Sequence, residues 1–292
     1  MQVQLSPRYL TVLRYPDIDI PNVDIWKFLF ERRNREFPDS KGTCCPYSAI
    51  EKHFRRLNGF ILVIFLDPNS QRSYTYAQVK DAAVQFGKGL VGLWEWRKGD
   101  VISLFTANSI DTPVVIWGAH WAGGIVSPAN PGYTAEELAF QLRDARAKAL
   151  VTQKSLLKVA RKAAKIAGIP EDRIILIGDE RDEEMRFKHF TSIRSSSETD
   201  RYRRAKTDPK KDVAFIVYSS GTTGYPKGAS LSHENIVAGV LILEAGEAGN
   251  LGWKGNQDNK GDRVLSFLPF YHIYGKFIYS VNIKLIPICN RS

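Results

Sequence analysis

The residue types best suited to chemistry in this sequence form a short loop after residue 218. A β-branched and aromatic run, Val213 to Tyr218, predicts a buried strand, and small hydroxyl and glycine residues follow it at once. Hydroxyl and backbone N–H groups donate hydrogen bonds, glycines let the main chain approach an anion, and Lys227, after a stiff Tyr225-Pro226 step, adds a positive charge. The pattern therefore predicts a binding site for the phosphates of a nucleotide. The residues concerned are Ser219, Ser220, Gly221, Thr222, Thr223, Gly224 and Lys227.

The residues around Lys227 differ from those of the common P-loop. That motif, GxxxxGK[ST], places a Ser or Thr directly after the lysine to hold magnesium. Here Gly228 follows Lys227, and Pro226 precedes it. A flexible solvent loop between two strands is the alternative, since Ser/Gly/Thr runs often serve only as that. The order of residues in SSGTTGYPKG favours the phosphate site.

The string YSSGTTGYPKG, followed by LSHENI, resembles the signature of the adenylate-forming (AMP-binding) acid–CoA ligases, and among them the 4-coumarate–CoA ligase-like group. Residues 99–132 and 266–275 resemble neighbouring stretches of that family, and the likeness covers most of 7–41 and 62–275. In these ligases a carboxylate attacks the α-phosphate of ATP, pyrophosphate leaves, and a CoA thiol attacks the acyl-adenylate. The resemblance implies ATP, Mg²⁺ and CoA as cofactors and an aryl or fatty carboxylic acid as substrate, as in phenylpropanoid or fatty acid metabolism.

Two residues gain a role from this resemblance. His272, in PFYHIYG, matches the family's histidine near the acyl carboxylate, where an imidazole can orient the attacking oxygen. Tyr274 matches a residue that lines the acid pocket of hydroxycinnamate-type relatives, and a core tyrosine is the alternative. Catalytic roles are thus expected for His272 and Lys227, and substrate contacts for His272 and Tyr274. The family's magnesium ligand and the catalytic lysine of its small C-terminal domain are expected beyond the end of this chain.

Strands that alternate with longer helices predict an α/β fold with a doubly wound parallel sheet. Thr134 and Glu137 form a capping-box pattern at the start of a helix, and Ser232 is the expected N-cap of another. The charged and Ser-rich segment 178–212 suits a surface excursion. An amphipathic helix is expected over 74–94, and its apolar side comprises Val79, Ala83, Phe86, Leu90 and Leu93. Strands are expected near 101–107, 125–126, 149–152, 173–177, 213–218 and 264–268.

The resemblance implies an incomplete large N-terminal domain of the adenylate-forming fold, built of doubly wound βαβ subdomains, with the small C-terminal domain absent. Residues 1–200 are expected to form the first α/β subdomain, in which 42–61 form an insertion. Residues 201–275 are expected to start the second subdomain with the phosphate loop, and 276–292 form a non-homologous tail. The expected protein is a truncated, inactive ligase fragment. A non-catalytic nucleotide-binding pseudoenzyme, or a subunit completed by a partner, is the alternative.

Composition limits the possible binding partners and the cellular location of the protein. The 292 residues carry a net charge of +10, but the excess is spread out. Its densest part, 201–211, contains only one aromatic residue, Tyr202, whereas a single-strand stacking platform would interleave several. No nucleic-acid partner is therefore expected. No metal site is expected within this chain either, because the family's magnesium ligand is expected beyond its end. Three cysteines cannot form a complete disulfide framework, and neither a signal peptide, a membrane-spanning run nor a C-terminal peroxisomal signal is expected. The predicted location is intracellular, in the cytoplasm or the peroxisome.

Overall fold

Strands and helices alternate along most of the chain in the computed structural model, which describes residues 18–31, 63–67, 69–194, 202–219, 226–246, 264–265, 268–272 and 288–289. The helices are α1 Ile25–Phe30, α2 Tyr76–Trp94, α3 Thr112–Trp121, α4 Ala135–Asp144, α5 Leu157–Ala167, α6 Phe190–Ile193 and α7 His233–Gly246. The strands are β1 Val63–Leu66, β2 Ser73–Thr75, β3 Val101–Phe105, β4 Ile125–Ala129, β5 Ala147–Thr152, β6 Ile174–Leu176, β7 Lys188–His189, β8 Val213–Ser219, β9 Lys227–Ser232, β10 Val264–Leu265 and β11 Ile288–Cys289.

A seven-stranded sheet is the framework of the fold. Its strand order is β7-β6-β5-β3-β4-β8-β9, and all neighbouring pairs are parallel except β8 and β9, which are antiparallel. A smaller sheet has the order β10-β11-β1-β2, in which β1 and β2 pair antiparallel. The chain thus builds the large sheet outward from β3 in both directions, which is the doubly wound arrangement that the sequence predicts.

Helices cover both faces of the large sheet, so its central strands are buried. On β3, Leu104 belongs to the core formed with α1, α2, α3 and α7, whereas its neighbour Phe105 belongs to the core formed with α4 and α5. Successive strand residues point to opposite faces, so both sides of β3 need apolar cover. All five residues of β3 are buried. The predicted α/β class is therefore confirmed.

Two glycines allow α2 and α3 to pack closely. A Cβ atom at Gly118 of α3 would lie 2.7 Å from the carbonyl oxygen of Ala83 on α2, and one at Gly87 of α2 would lie 2.7 Å from the carbonyl oxygen of Gly118. Both distances are shorter than carbon and oxygen atoms tolerate, so larger residues would push the helices apart. No helix in the part of the chain described is long and apolar enough to cross a membrane.

The helix N-caps that the sequence predicts are present in the structure. Thr134 caps α4, its hydroxyl accepting from Glu137 N at 3.3 Å while the Glu137 carboxylate accepts from Thr134 N at 2.8 Å. Ser232 precedes α7, and its hydroxyl accepts from Asn235 N at 3.1 Å. Each cap satisfies N–H groups that a helix start leaves without a partner. Both predicted helix starts are confirmed.

Three sequence expectations need correction. Leu93, expected on the covered side of α2, is 50% exposed, although Leu90 on the same helix is fully buried. The segment 178–212, expected as a surface excursion, contributes β7 and α6 and buries Phe187, Phe190 and Ile193 among its charged residues. The sequence also failed to predict β9, because Lys227–Ser232 lacks the apolar alternation typical of strands.

The expected subdomain boundary near residue 200 does not coincide with a change of sheet. β8 and β9 extend the same sheet that β3 to β7 form. The two parts are joined by the pairing of Val126 in β4 with Phe215 in β8, and also by contacts such as the ion pair between Lys98 and Asp212. The division into two subdomains, and the assignments of 42–61 and 276–292, stay predictions.

His233 is buried where α7 begins, close to α1. Its side chain is 3% exposed, and its Nδ1 accepts a long hydrogen bond of 3.5 Å from Ile25 N. Burial lowers the pKa of His233 from 6.5 to about 4, although Asp24 and Asp212 act in the opposite direction. The imidazole is therefore neutral in the folded chain at pH 7.

Lowering the pH from 7.5 to 5 is expected to reduce the free energy of unfolding through His233. The unfolded imidazole takes up a proton near pH 6.5 and the folded one only near pH 4, so the unfolded state binds more protons between these values. The loss amounts to about 2 kcal/mol at pH 5. Urea denaturation at both pH values measures it.

The comparison variant is His233→Asn, which cannot titrate. Between pH 7.5 and 5, its free energy of unfolding should fall by about 2 kcal/mol less than that of the wild type. Equal losses in the two proteins would contradict the assignment to His233.

Candidate functional site

A cleft of about 490 Å³ opens at the carboxyl ends of β4 and β8. Its walls combine aromatic, aliphatic and hydroxyl side chains. None of the described side chains that line it is acidic. The lining residues are Pro128, Asn130, Tyr133, Val217, Tyr218, Ser219, Ala229, Leu231, Tyr271 and His272.

The strand order explains why a crevice forms there. β4 continues through α4 to β5, which lies on the far side of β3, whereas β8 continues directly into β9 on the opposite side. The connections that leave these two neighbouring strands therefore diverge. In open α/β sheets, ligands bind in such crevices outside the carboxyl ends of the strands.

The β8–β9 hairpin fixes both ends of the predicted phosphate loop. Ser219 and Lys227 are opposite each other as the last pair of the antiparallel ladder. Opposite residues of an antiparallel pair project from the same face of the sheet, so the Ser219 hydroxyl and the Lys227 side chain share a face with Val217 and Ala229. Both Ser219 and Lys227 are exposed. A hydroxyl donor and a positive charge thus flank the segment 220–226.

A turn held by Asn108 presents His272 to the same cleft. Asn108, in the loop after β3, donates from Nδ2 to Leu268 O at 2.9 Å and accepts from Phe270 N through Oδ1 at 2.8 Å. The Phe270 side chain is 4% exposed, and His272 N donates to Pro269 O at 3.1 Å. His272 therefore follows an anchored turn while its own side chain remains exposed.

The structure brings together the described members of the predicted site. Ser219 and His272 line one cleft, and Lys227 stands opposite Ser219 at the end of the hairpin. Lys227, expected to add its charge to the loop after β8, is the first residue of β9. Ser220, Gly221, Thr222, Thr223, Gly224 and Tyr274 lie outside the described residues.

Eight of the ten lining residues were not predicted as site residues, and four of these eight carry a polar side-chain group. Asn130 and Tyr133 follow β4 in the string SPANPGY, and Tyr218 and Tyr271 flank predicted site residues. Asn130 orders its turn, because its Oδ1 accepts from Gly132 N at 2.9 Å. The signal that could have found Asn130 and Tyr133 is their place directly after a buried parallel strand, where ligand contacts concentrate.

Tyr133 and Tyr218 keep their protons at neutral pH. Burial raises the pKa of Tyr133, and the nearby Glu137 and Tyr271 raise it further. Burial and the Asp144 carboxylate likewise raise the pKa of Tyr218. The Tyr133 hydroxyl therefore remains a hydrogen-bond donor, while Tyr218 donates to Asp144. With Lys227 opposite Ser219 at the end of the hairpin, the cleft is suited to an anionic ligand.

The described residues provide no ready protein cage for a cation. No three of their His, Cys, Asp or Glu side chains gather around one point. The oxygen donors near the cleft are hydroxyl and amide groups, which suit a magnesium ion that arrives on phosphates better than a site made wholly by protein.

The comparisons with known proteins agree with this geometry. The family model for AMP-binding enzymes matches residues 50–286, which include parts of the two segments that the sequence analysis sets apart. The chain is 35% identical over 211 residues to 4-coumarate-CoA ligase 1 of Narcissus pseudonarcissus, covering 72% of this chain and 36% of that protein. It is 30% identical over 210 residues to the long-chain-fatty-acid–CoA ligase of Bacillus subtilis, covering 65% and 36%. The chain belongs to the AMP-binding enzyme family, and its resemblance to adenylate-forming acid–CoA ligases is confirmed.

A solved structure shows the same fold. The crystal structure of ATP-bound MatB from Rhodopseudomonas palustris superposes with a TM-score of 0.67 at 22% identity, over 93% of this chain and 45% of that chain. The expected adenylate-forming fold is therefore confirmed. This chain spans about two fifths of the length of the curated relatives it matches.

Replacing Asn108 is expected to release the turn that presents His272. Asn108→Ala removes both hydrogen bonds to residues 268–270, and a partly buried bond of this kind contributes about 1 kcal/mol. Amide hydrogen exchange in 268–272 should become about tenfold faster, while exchange in β3 should not change. Mass spectrometry of peptides from both regions measures this.

The matched variant is Asn108→Asp, which keeps an acceptor for Phe270 N and loses the donor to Leu268 O. Its exchange rate should fall between those of the wild type and the alanine variant. Identical exchange in all three proteins would show that Asn108 does not hold the turn.

Proposed function

We propose that this chain binds the triphosphate of ATP at the β8–β9 hairpin and serves the ATP-dependent activation of a carboxylic acid for transfer to CoA. One observation is the main support for this proposal. The ladder pair Ser219–Lys227 ends the hairpin beside a cleft that His272 also lines, at the carboxyl ends of two parallel strands. The names of the family relatives, acid–CoA ligases of plant and bacterial origin, support the same reaction class.

The hairpin would stabilise the charge of the phosphates. Attack by a carboxylate on the α-phosphate of ATP expels pyrophosphate, so positive charge and N–H or O–H donors must face the leaving group. Lys227 supplies the charge and Ser219 a hydroxyl, while the small residues of 220–224 offer backbone donors. Tyr133 adds a donor at the wall of the cleft.

His272 would orient the acid. A protonated imidazole nitrogen can donate to a carboxylate, and the turn held by Asn108 fixes the backbone that carries it. The neighbouring side chains of Val217, Leu231 and Tyr271 are apolar or aromatic and fit an aryl or aliphatic acid better than a small polar one. We therefore propose an aryl or fatty carboxylic acid as the substrate class.

Mg²⁺ and CoA complete the proposed reaction. Magnesium neutralises phosphate oxygens when it is bound, and the hydroxyl and amide donors of the cleft fit an ion that keeps most of its ligands from phosphate and water. The CoA thiol would accept the acyl group. Because ATP and CoA are consumed together inside cells, we place the chain in the cytoplasm or the peroxisome, with no nucleic-acid partner.

Removing the charge of Lys227 is expected to weaken ATP binding. A hydrogen bond to a charged group contributes about 1.5–3 kcal/mol, so Lys227→Ala should raise the Kd for ATP at least tenfold. Isothermal titration calorimetry with ATP and Mg²⁺ measures the change. The control is Lys206→Ala, which removes an equally exposed lysine from the connector ahead of β8 and should leave the Kd unaltered.

Equal affinity of the wild type and Lys227→Ala would refute the phosphate assignment. Exchange of labelled pyrophosphate into ATP, with 4-coumarate or decanoate present, then distinguishes a working ligase from a non-catalytic nucleotide-binding protein. We expect ATP binding without exchange from this chain alone, because no described cleft residue is a carboxylate that could position the metal. Acid-dependent exchange would instead establish a working ligase rather than a non-catalytic nucleotide-binding protein.

Replacing His272 is expected to affect the acid and spare the nucleotide. His272→Ala should raise the Kd for 4-coumarate about fivefold, the usual effect of one lost hydrogen bond, and leave the Kd for ATP unchanged. His272→Gln retains a side-chain donor and should restore part of the affinity. Calorimetry with each ligand distinguishes these cases, and a parallel loss of ATP affinity would argue against a specific role in acid binding.

A further inference from the structure

Tyr218 packs on a glycine of the neighbouring strand. It precedes Ser219 at the end of β8 and is opposite Gly228 in the ladder with β9. A Cβ atom at Gly228 would lie 3.0 Å from Cζ of Tyr218, 3.1 Å from its hydroxyl oxygen and 3.1 Å from Cγ2 of Ile216. The tyrosine ring thus occupies the space that a side chain at Gly228 would need.

Asp144 holds the other end of this ring. The Tyr218 hydroxyl donates to the Asp144 carboxylate, which lies at the last residue of α4. Because α4 is capped by Thr134 and packs on the sheet through Leu138 and Leu142, Asp144 belongs to a well-anchored element. Tyr218 therefore connects β9 to α4 through one ring and one hydrogen bond.

This connection matters because β9 is an edge strand. Among the described strands it pairs with β8 only, and four of its six residues are exposed. Terminal pairs of an edge strand open easily when no tertiary contact covers them. The pair Tyr218–Gly228 is the last one before Ser219–Lys227, so whatever holds it also fixes the end of the hairpin.

We propose that Tyr218 and Asp144 are positioning residues for Lys227. Their hydrogen bond, together with the ring contact on Gly228, holds the final ladder pair in register, and the Lys227 ammonium therefore reaches the mouth of the cleft from a fixed backbone. This inference rests on the proposed function, in which Lys227 binds the phosphates of ATP.

A double-mutant cycle tests whether Tyr218 acts through Lys227. Tyr218→Phe removes the hydroxyl and keeps the ring, and it should raise the Kd for ATP about fivefold. In the Lys227→Ala background the same change should have no further effect, because the group that it positions is gone. Asp144→Asn, which keeps an acceptor oxygen, should lie between the wild type and Tyr218→Phe.

A matched control separates positioning from general stability. Tyr76→Phe also removes a tyrosine hydroxyl that donates a hydrogen bond, here to Leu29 O at 2.7 Å and far from the cleft along the chain. It should lower the melting temperature without changing the Kd for ATP. Amide exchange without ligand adds a second measurement, in which Tyr218→Phe should speed exchange at 228–230 and leave β3 unaffected.

The outcomes distinguish a failure of the proposed function from a failure of the positioning role of Tyr218. If the wild type does not bind ATP, or Lys227→Ala binds it as well as the wild type, the proposed function fails. If Lys227→Ala weakens binding but Tyr218→Phe changes neither the Kd nor the exchange at 228–230, the positioning role fails and the proposed function stands. Full additivity of the two substitutions would likewise reject action through Lys227.

Discussion

The candidate site depends on the position of β8 beside β4 in the sheet. The pairing is short, with Val126 opposite Phe215, but packing beneath it is dense. The His120 imidazole of α3 donates from Nε2 to Ala214 O at 3.0 Å, and its ring meets Phe215 edge-on, with 4.9 Å between the ring centroids. Phe215 is 1% exposed. A buried polar contact of this kind fixes the strand in one place, because any shift would leave the imidazole or the carbonyl group without a partner.

A second buried interaction fixes the start of α3, next to the loop that contains Asn108. Asp111, fully buried at the start of α3, accepts from Arg72 Nη2 at 2.7 Å, from the Tyr74 hydroxyl at 2.8 Å and from Gly178 N at 3.0 Å. A buried carboxylate is tolerated only when donors surround it, so these groups are fixed relative to one another. The loop that contains Asp111 also contains Asn108. Through this loop and Asn108, the network therefore stabilises the turn that presents His272.

The sequence predicts the parts of this arrangement that local patterns specify. β3 is buried on both faces and is apolar except for Ser103, and the caps at Thr134 and Ser232 follow simple residue rules. The residue types after Tyr218 predict Ser219 as a site residue, and the string PFYHIYG predicts His272 through family resemblance. β9 escapes prediction because a polar edge strand needs no apolar alternation. The contact between Tyr218 and Asp144, 74 residues apart, has no local signal at all.

Lys227 has a competing explanation that the structure allows us to weigh. Sheet edges often carry a lysine because its charge discourages pairing with other chains, and β9 is such an edge. Edge protection alone, however, would favour a lysine in the middle of the strand, where an incoming chain would pair, rather than at its first residue. It would also not require a glycine at 228 that makes room for a tyrosine tied to α4. A charge held at the end of a hairpin, opposite a hydroxyl residue that lines the cleft, is better explained by a ligand that must meet both groups at once.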